Sequence, residues 1–284
     1  MSYIVTATTG HLGRLIVESL LARGAAPADI IATARNANKL PALAELGVRT
    51  AVLDYARPET VTTVVTPGDV IALVSGSELG RRFLQHSTVI TAATDAGASR
   101  IVYTSAPKAT TSGLLLAPEH KATEEFLVAS GVPFTILRNG WYTENYTGEI
   151  EKARQSGEIV ASVGSGRVAS ASRADYADAA AIALLDDSLA GRTLELSGDH
   201  AWDFDELAAT IGTLIGRDVT FRNLTPSEHS NMLAGFGLDE GTVGFIVGLD
   251  ANIRDGLLAE TSGDLARLIG RPTTPLAAGL AAAA

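Results

Sequence analysis

The chain has 284 residues, with 22 lysines and arginines against 32 aspartates and glutamates and no cysteine. That length suffices for one large α/β domain or a nucleotide domain with a smaller lobe, and the net charge of −10 sets the overall field against a nucleic-acid backbone. The absence of thiols removes disulfides, thiolate nucleophiles, iron–sulfur clusters and cysteine-held zinc, and fits a reducing compartment.

No basic-then-apolar leader opens the sequence, and no apolar run reaches the ~20 residues that cross a bilayer. The expectation is a soluble, cytoplasmic protein that works on a small molecule, with neither nucleic acid nor membrane as partner. Short β-rich runs then recur between helical stretches: YIVTA (3–7), IIATA (30–34), VRTAVL (48–53), VIALV (70–74), IVYTS (101–105) and FTIL (134–137). This alternation predicts parallel βαβ units with helices on both faces of a doubly wound sheet, an α/β fold. Between the first two runs, Leu12, Leu15, Ile16 and Leu20 share a helical face that Gly24 closes. Before the fifth run, Phe83, Val89, Ile90 and Ala93 fall near helical spacing, and Gly97 ends that helix.

Beyond about residue 140 the pattern loosens, with aromatics and glycines but no strong strand alternation up to residue 167. RADYADAAAIALLDD (173–187) predicts a helix and RTLELSG (192–198) another strand. The expected division is a nucleotide-binding part over 1–147 and a smaller, interleaved C-terminal lobe over 148–284, with 173–198 returning to the main sheet. DFDE (203–206) and TPSE (225–228) have the form of capping boxes and predict helix starts. The tail PLAAGLAAAA is helix-prone.

TATTGHLG (6–13) lies between the first strand and the first helix, where backbone amides and the positive end of a helix dipole can face an anion. It holds Gly10 and Gly13 but Ala7 in the first glycine position, so it reads either as a dinucleotide loop or as a tight strand-to-helix turn without a ligand. If position 7 needs a positive φ, its Cβ costs ~1–2 kcal/mol. The second strand runs into TARNANK without an acidic residue to grip ribose hydroxyls. Arg35 stands there instead, able to fork onto the 2′-phosphate of NADP, with Lys39 adding charge; the alternative is a solvated basic loop. Asp54 can accept from an adenine amino group or cap the next turn equally well.

A tyrosine followed four residues later by lysine is the acid pair of the ordinary short-chain dehydrogenases. None of the six tyrosines has it: at that spacing Tyr3, Tyr55, Tyr103, Tyr142, Tyr146 and Tyr176 meet Ala7, Glu59, Pro107, Tyr146, Ile150 and Ala180. A hydride acceptor must then need little acid assistance, as an electron-poor quinone ring does. A sugar epimerase would require the missing tyrosine base.

TATTGHLG, TARNANKL, LDYARPE, LVSGSELGRR, HSTVITAATDAG, VYTSA, PEHKATEEFLVASGVPFTILRNGWYTENY and SASRADYA together resemble the NmrA-like atypical short-chain dehydrogenases along essentially the whole chain. The resemblance implies a Rossmann domain, a small substrate lobe, an NADP(H) site, a reductase activity and a homodimer. Carried over residue by residue, the cofactor site would comprise Ala7, Thr8, Thr9, Gly10, His11, Leu12 and Gly13, then Arg35, then Ser75, Gly76 and Ser77, then Arg138, Asn139, Gly140, Trp141, Tyr142 and Thr143. Ala7 and Thr8 depart from the family's glycine and alanine, and His11 replaces a common glutamine. His11 is either a phosphate donor or an exposed first-turn residue. His120 and Tyr142 are the candidate catalytic residues: His120 as proton donor because imidazole titrates near neutrality, or else as a helix-start residue bonded to backbone. Lys121 would point about 100° away from it around the helix. Trp141 and Tyr142 offer flat faces to an aromatic acceptor or pack within the protein, and Asn145 follows them. A rival reading from another class is a redox-sensing regulator that binds the dinucleotide without turnover.

Overall fold

The structure is a computed structural model that describes residues 1–283. It divides into two units: the first comprises Met1–Thr110, Leu116–Asn139 and Arg173–Leu196, and the second Thr111–Leu115, Gly140–Ser172 and the chain from Ser197 onward. The division thus falls after Asn139 rather than after residue 147, and 111–115 leaves the first unit as well.

In the first unit the strands are β1 (Tyr3–Val5), β2 (Ile30–Ala34), β3 (Arg49–Val52), β4 (Val70–Leu73), β5 (Arg100–Ser105) and β6 (Phe134–Asn139). After β7 (Glu158–Ala161), which belongs to the second unit, the chain returns to the first as β8 (Arg192–Leu196). All seven strands of the main sheet are parallel, in the order β3-β2-β1-β4-β5-β6-β8, with Ile4 in register with Ile31 on one side and Ile71 on the other. The central strands are buried on both faces, which is why they read as continuous Ile/Val/Ala runs without alternation.

The crossovers supply α1 (His11–Ala22), α2 (Leu40–Ala44), α3 (Pro58–Val64), α4 (Arg82–Asp95) and α5 (Ala117–Ala129). After α6 (Thr147–Ser156) of the second unit, α7 (Arg173–Leu185) rejoins the first. One layer is α3, α4 and α5, whose Val61, Ile90 and Leu127 join Ile4, Ile71 and Ile101 in a core without solvent exposure. The other layer is α1 against α7. Five buried alanines on α7 (Ala177, Ala179, Ala180, Ala181 and Ala183) permit a close approach, and Ser19 Oγ donates to Asp178 Oδ1 at 2.7 Å. Leu12, Ile16 and Leu20 of α1 are buried as expected while Leu15 is half-buried, and Gly24 closes the helix at φ 87°.

Phe83 does not belong to the core face of α4: it is 39% exposed and meets the ring of Phe126 edge-on. The buried face is instead Arg82, Gln85, His86, Val89, Ile90 and Ala93. That set has the i, i+3, i+4, i+7, i+8 spacing of a core stripe, obscured in the sequence because its first three members are polar.

The second unit holds a two-stranded parallel sheet, β7 with β9 (Thr220–Asn223), which the loose pattern after residue 140 concealed. Its helices are α6, α8 (Phe204–Ile215), α9 (Pro226–Gly235), α10 (Glu240–Arg254), α11 (Asp264–Ile269) and α12 (Leu276–Ala283). Both expected capping boxes are present, Asp203 with Glu206 on α8 and Thr225 with Glu228 on α9. The Trp202 ring, 1% exposed, meets Tyr146 edge-on at 4.8 Å and lies 5.8 Å from Phe204. Asp250 Oδ2 accepts from Ser162 N and Oγ and lies 2.9 Å from His229 Nδ1, joining the end of β7 to α9 and α10. Among the described residues no helix is long and apolar enough to cross a membrane.

Candidate active site

From β1 the chain moves outward through β2 to β3, then returns to place β4 on the opposite side of β1. Connections leave β1 and β4 in opposite directions, so a crevice opens at their carboxyl ends, the place where open α/β sheets receive ligands. Thr6 closes its floor: its hydroxyl donates to Ala72 O at 2.8 Å and accepts from Val74 N at 3.0 Å, and the Tyr55 hydroxyl reaches both Thr6 Oγ1 and Val74 O.

The turn above that floor is set by Ala7, whose φ of 52° lies in the left-handed region. An alanine therefore carries the conformation that the first position demands, at the cost of its Cβ. Ala7 O accepts from Gly10 N at 3.0 Å. A β-carbon on Gly13 would stand 2.6 Å from Ala7 O and 2.9 Å from Thr6 O, so only glycine lets α1 start this close to the strand. Thr8 is fully buried and directed into the protein, its N and Oγ1 both donating to Thr33 O. Leu12 is buried, so only its main chain can serve a ligand, whereas Thr9, Gly10 and His11 are exposed. No side chain caps the N-terminus of α1, and its first turn holds no acidic residue. Its amides and dipole are therefore open to a phosphate. Together with the cradle at Gly13, this fits a dinucleotide.

Arg35 directly follows β2 with its side chain 71% exposed and NH1 2.7 Å from Glu78 Oε1, an ion pair spanning from the β2 side of the crevice to the loop after β4. The pair holds the Glu78 carboxyl below its ordinary range. Asp54 Oδ1 accepts from Ala56 N at 3.0 Å, the turn-capping use. After β4, Ser75 N donates to Thr104 Oγ1, and Gly76 is tied on both sides to α4, its N–H donating to His86 Nε2 and its carbonyl accepting from Arg82 Nε. Ser77 is exposed.

His120, on α5, is 5% exposed, with Nδ1 2.7 Å from the Tyr103 hydroxyl. Burial, reinforced by the positive charge of Arg82, pushes its pKa down to about 3. His120 is thus not an imidazolium acid near neutrality, which corrects the expectation based on ordinary imidazole. Burial likewise raises the Tyr103 phenol, so the pair is neutral.

Arg138 is not available to a phosphate. Its Nε and NH2 engage both oxygens of Glu124, its NH1 reaches Glu195 at 2.8 Å, and NH2 also donates to Thr110 Oγ1. The guanidinium is consumed in fixing the carboxyl end of β6, and these carboxylates raise its pKa further. Asn139, the last residue of β6, is 4% exposed, and neither its carboxamide oxygen nor its nitrogen has a partner. Two unpaired buried atoms cost roughly 1–3 kcal/mol each, so a bound molecule that paired them would gain that much. Gly140, Trp141, Tyr142 and Thr143 lie in the second unit, where 141–143 bracket Ala171: Tyr142 forms a parallel bridge to it, Trp141 O accepts from its N–H and Thr143 N donates to its carbonyl. Trp141 and Tyr142 are half-buried, and Thr143 Oγ1 lies 2.9 Å from Ser170 Oγ.

The structure thus gathers the 7–13 turn, Arg35 and 75–77 at one edge of the first unit, and links His120 to that edge through Tyr103. Sequence reasoning missed Arg82, His86, Glu119 and Thr123, which hold the edge in place. For Arg82 and His86 the signal was the polar half of the α4 stripe; Glu119 and Thr123, on α5, had none in the sequence.

An open parallel sheet with an uncapped helix N-terminus beside its switch point defines a dinucleotide-binding α/β protein. Residues 8–187 match the family model described as NAD(P)H-binding, and the chain belongs to that family. It is 40% identical to quinone oxidoreductase 2 of Escherichia coli strain K12 over 273 residues, 96% of this chain and 95% of that protein. The solved structure of the Escherichia coli NADPH-dependent quinone oxidoreductase complexed with NADPH superposes with a TM-score of 0.93, covering 99% of each chain. Triphenylmethane reductase of Citrobacter sp., complexed with NADP(H), is 33% identical with a TM-score of 0.92 over 100% of each chain.

Proposed function

We propose that this chain is an NADPH-dependent reductase that transfers a hydride to a quinone or a similar planar, electron-poor acceptor. The observation that carries the reading is the open N-terminus of α1 over the Ala7 turn, with an arginine rather than a carboxylate at the end of β2. Support comes from the full-length likeness to reductases whose structures hold NADPH or NADP(H).

The main-chain amides at the start of α1 would bind the pyrophosphate, and Arg35 the 2′-phosphate after exchanging Glu78 for it. The reduced nicotinamide supplies the hydride when bound. A quinone that accepts it becomes a phenolate, whose conjugate acid titrates near 10, as a tyrosine does, so water or one weak acid completes the reaction. His120 is proposed to stabilise that oxyanion as a neutral hydrogen-bond donor, with water supplying the proton: an N–H on Nε2 follows if Nδ1 accepts from the Tyr103 hydroxyl. Tyr142 and Trp141 are proposed to offer aromatic faces to the acceptor, and Asn139 to pair its carboxamide with a bound molecule. A homodimer and a cytoplasmic location belong to the same proposal.

Purified protein should consume NADPH faster with benzoquinones, naphthoquinones or cationic dyes than without them. Calorimetry separates a reductase from a redox sensor. A sensor binds NADP+ or NAD+ without turnover with any acceptor, a result that would replace this reading.

A further inference from the structure

The turn after β4 forms the β4 wall of the crevice, and its central residue, Gly76, is held by side chains rather than by strand neighbours. Gly76 N–H donates to His86 Nε2 at 3.0 Å, while Gly76 O accepts from Arg82 Nε at 2.7 Å. Because Nε2 is an acceptor here, the imidazole proton resides on Nδ1, 3.2 Å from Thr123 Oγ1. Thr123 can accept it, since its own hydroxyl donates to Glu119 O at 2.8 Å. Glu119 closes the arrangement from α5: one carboxylate oxygen accepts from Arg82 NH1 and the other from Arg82 N. Every proton in the chain has one consistent direction.

The groups are also deeply buried: His86 and Thr123 have no exposure and Arg82 has 5%. Burying a guanidinium and an imidazole is costly unless their partners are fixed. A turn that merely joined a strand to a helix could be held by apolar packing. The same face of α4 reaches one step further, with Gln85 Nε2 donating to Glu78, the partner of Arg35.

We propose that Arg82 and His86 are positioning residues for the dinucleotide: they clamp the main chain on both sides of Gly76 so that the 75–77 turn presents a fixed wall to the bound cofactor. The proposal rests on the dinucleotide reading above. Through Glu119 and Thr123 the clamp also ties that wall to α5, the helix that carries His120. Misplacement of a positioning group by about 1 Å can cost on the order of a hundredfold in rate, so loss of the clamp should be felt in cofactor binding and turnover before it is felt in the acceptor's KM.

The test compares H86L, which keeps bulk but has no acceptor, with H86Q, whose side-chain oxygen can accept from Gly76, and with R82M. Binding of NADPH is followed by nucleotide fluorescence, turnover with a naphthoquinone by steady-state kinetics, and melting by calorimetry. The expectation is that H86L and R82M weaken NADPH binding and lower kcat by about tenfold or more, with the acceptor's KM little changed, and that H86Q restores both to within about threefold. A merely structural role would lower the melting temperatures of H86L and H86Q alike while leaving NADPH affinity and kcat at wild-type values, and that result overturns the proposal. Should H86L not fold, imidazole 15N spectra of the wild-type protein decide: a His86 proton on Nδ1 with a Gly76 amide resonance that moves on NADPH addition supports the clamp, and a proton on Nε2 overturns it. If the wild-type protein binds no NADPH, the dinucleotide reading falls and the proposal with it; if it binds and H86L binds equally well, only the clamp falls.

Discussion

The carbonyl oxygen of Ala7 occupies the space that a side chain on Gly13 would need, at 2.6 Å from the position of its β-carbon. The glycine is required by close approach, and the alanine sits at a positive φ where glycine is easiest. Gly13→Ala should therefore destabilise the protein by roughly 1–3 kcal/mol through overpacking against backbone that cannot retreat. Ala7→Gly should move the other way. Relief of a left-handed alanine is worth ~1–2 kcal/mol, partly offset by the greater freedom of glycine in the unfolded chain, leaving a gain of about 1 kcal/mol or ~3 °C in Tm. Calorimetry on both variants checks the pair, and a loss of stability in Ala7→Gly would contradict the account of the turn.

The two buried histidines of the first unit make stability depend on acid. Both have pKa values lowered to about 3 by burial, against 6.5 when unfolded. Below about pH 6.5 the unfolded chain binds protons that the native state refuses, so stability falls as pH drops and the loss continues down to the folded values near 3. From pH 7 to pH 5 the two groups together should remove about 4 kcal/mol, measurable by urea unfolding. His86→Gln should remove about half of that dependence.

The same lowering predicts a pH–rate profile. If His120 acts as a neutral donor, kcat/KM should show no ionisation near 6.5 attributable to it. A limb centred there that disappears in His120→Asn would restore the imidazolium mechanism.

Arg35 should set the preference between cofactors. Replacing it by alanine removes a charge-assisted contact to the 2′-phosphate, worth roughly 1.5–3 kcal/mol, so the KM for NADPH should rise about tenfold to a hundredfold while that for NADH changes little. The ion pair with Glu78 is exposed on its arginine side, so melting should hardly shift. Equal losses with both nucleotides would remove Arg35 from the site.

Arg138 should matter for stability rather than for cofactor affinity. Glu124 is only 4% exposed at its side chain, and its carboxylate also accepts from Ser105 Oγ. Arg138→Met would leave that charge buried without its partner, at a cost of about 3 kcal/mol. Denaturant unfolding measures the loss. A folded variant with normal stability and weakened NADPH binding would return Arg138 to the cofactor.

Chain order, the parallel α/β class, the helix starts at Asp203 and Thr225 and the turn at 6–13 were legible because each rests on neighbours in sequence. A strand run, a capping pair and a glycine before a helix are local patterns with local causes. The conformation at Ala7 was legible only as a condition, since φ is settled by how closely α1 must approach β1. What the tertiary structure alone decided is the fate of the charged and polar groups. Arg138 was consumed by Glu124 and Glu195, His120 was stripped of its charge by burial, and Arg82 and His86 turned inward to hold Gly76, because electrostatics and desolvation act between residues that are distant in sequence and become neighbours only on folding.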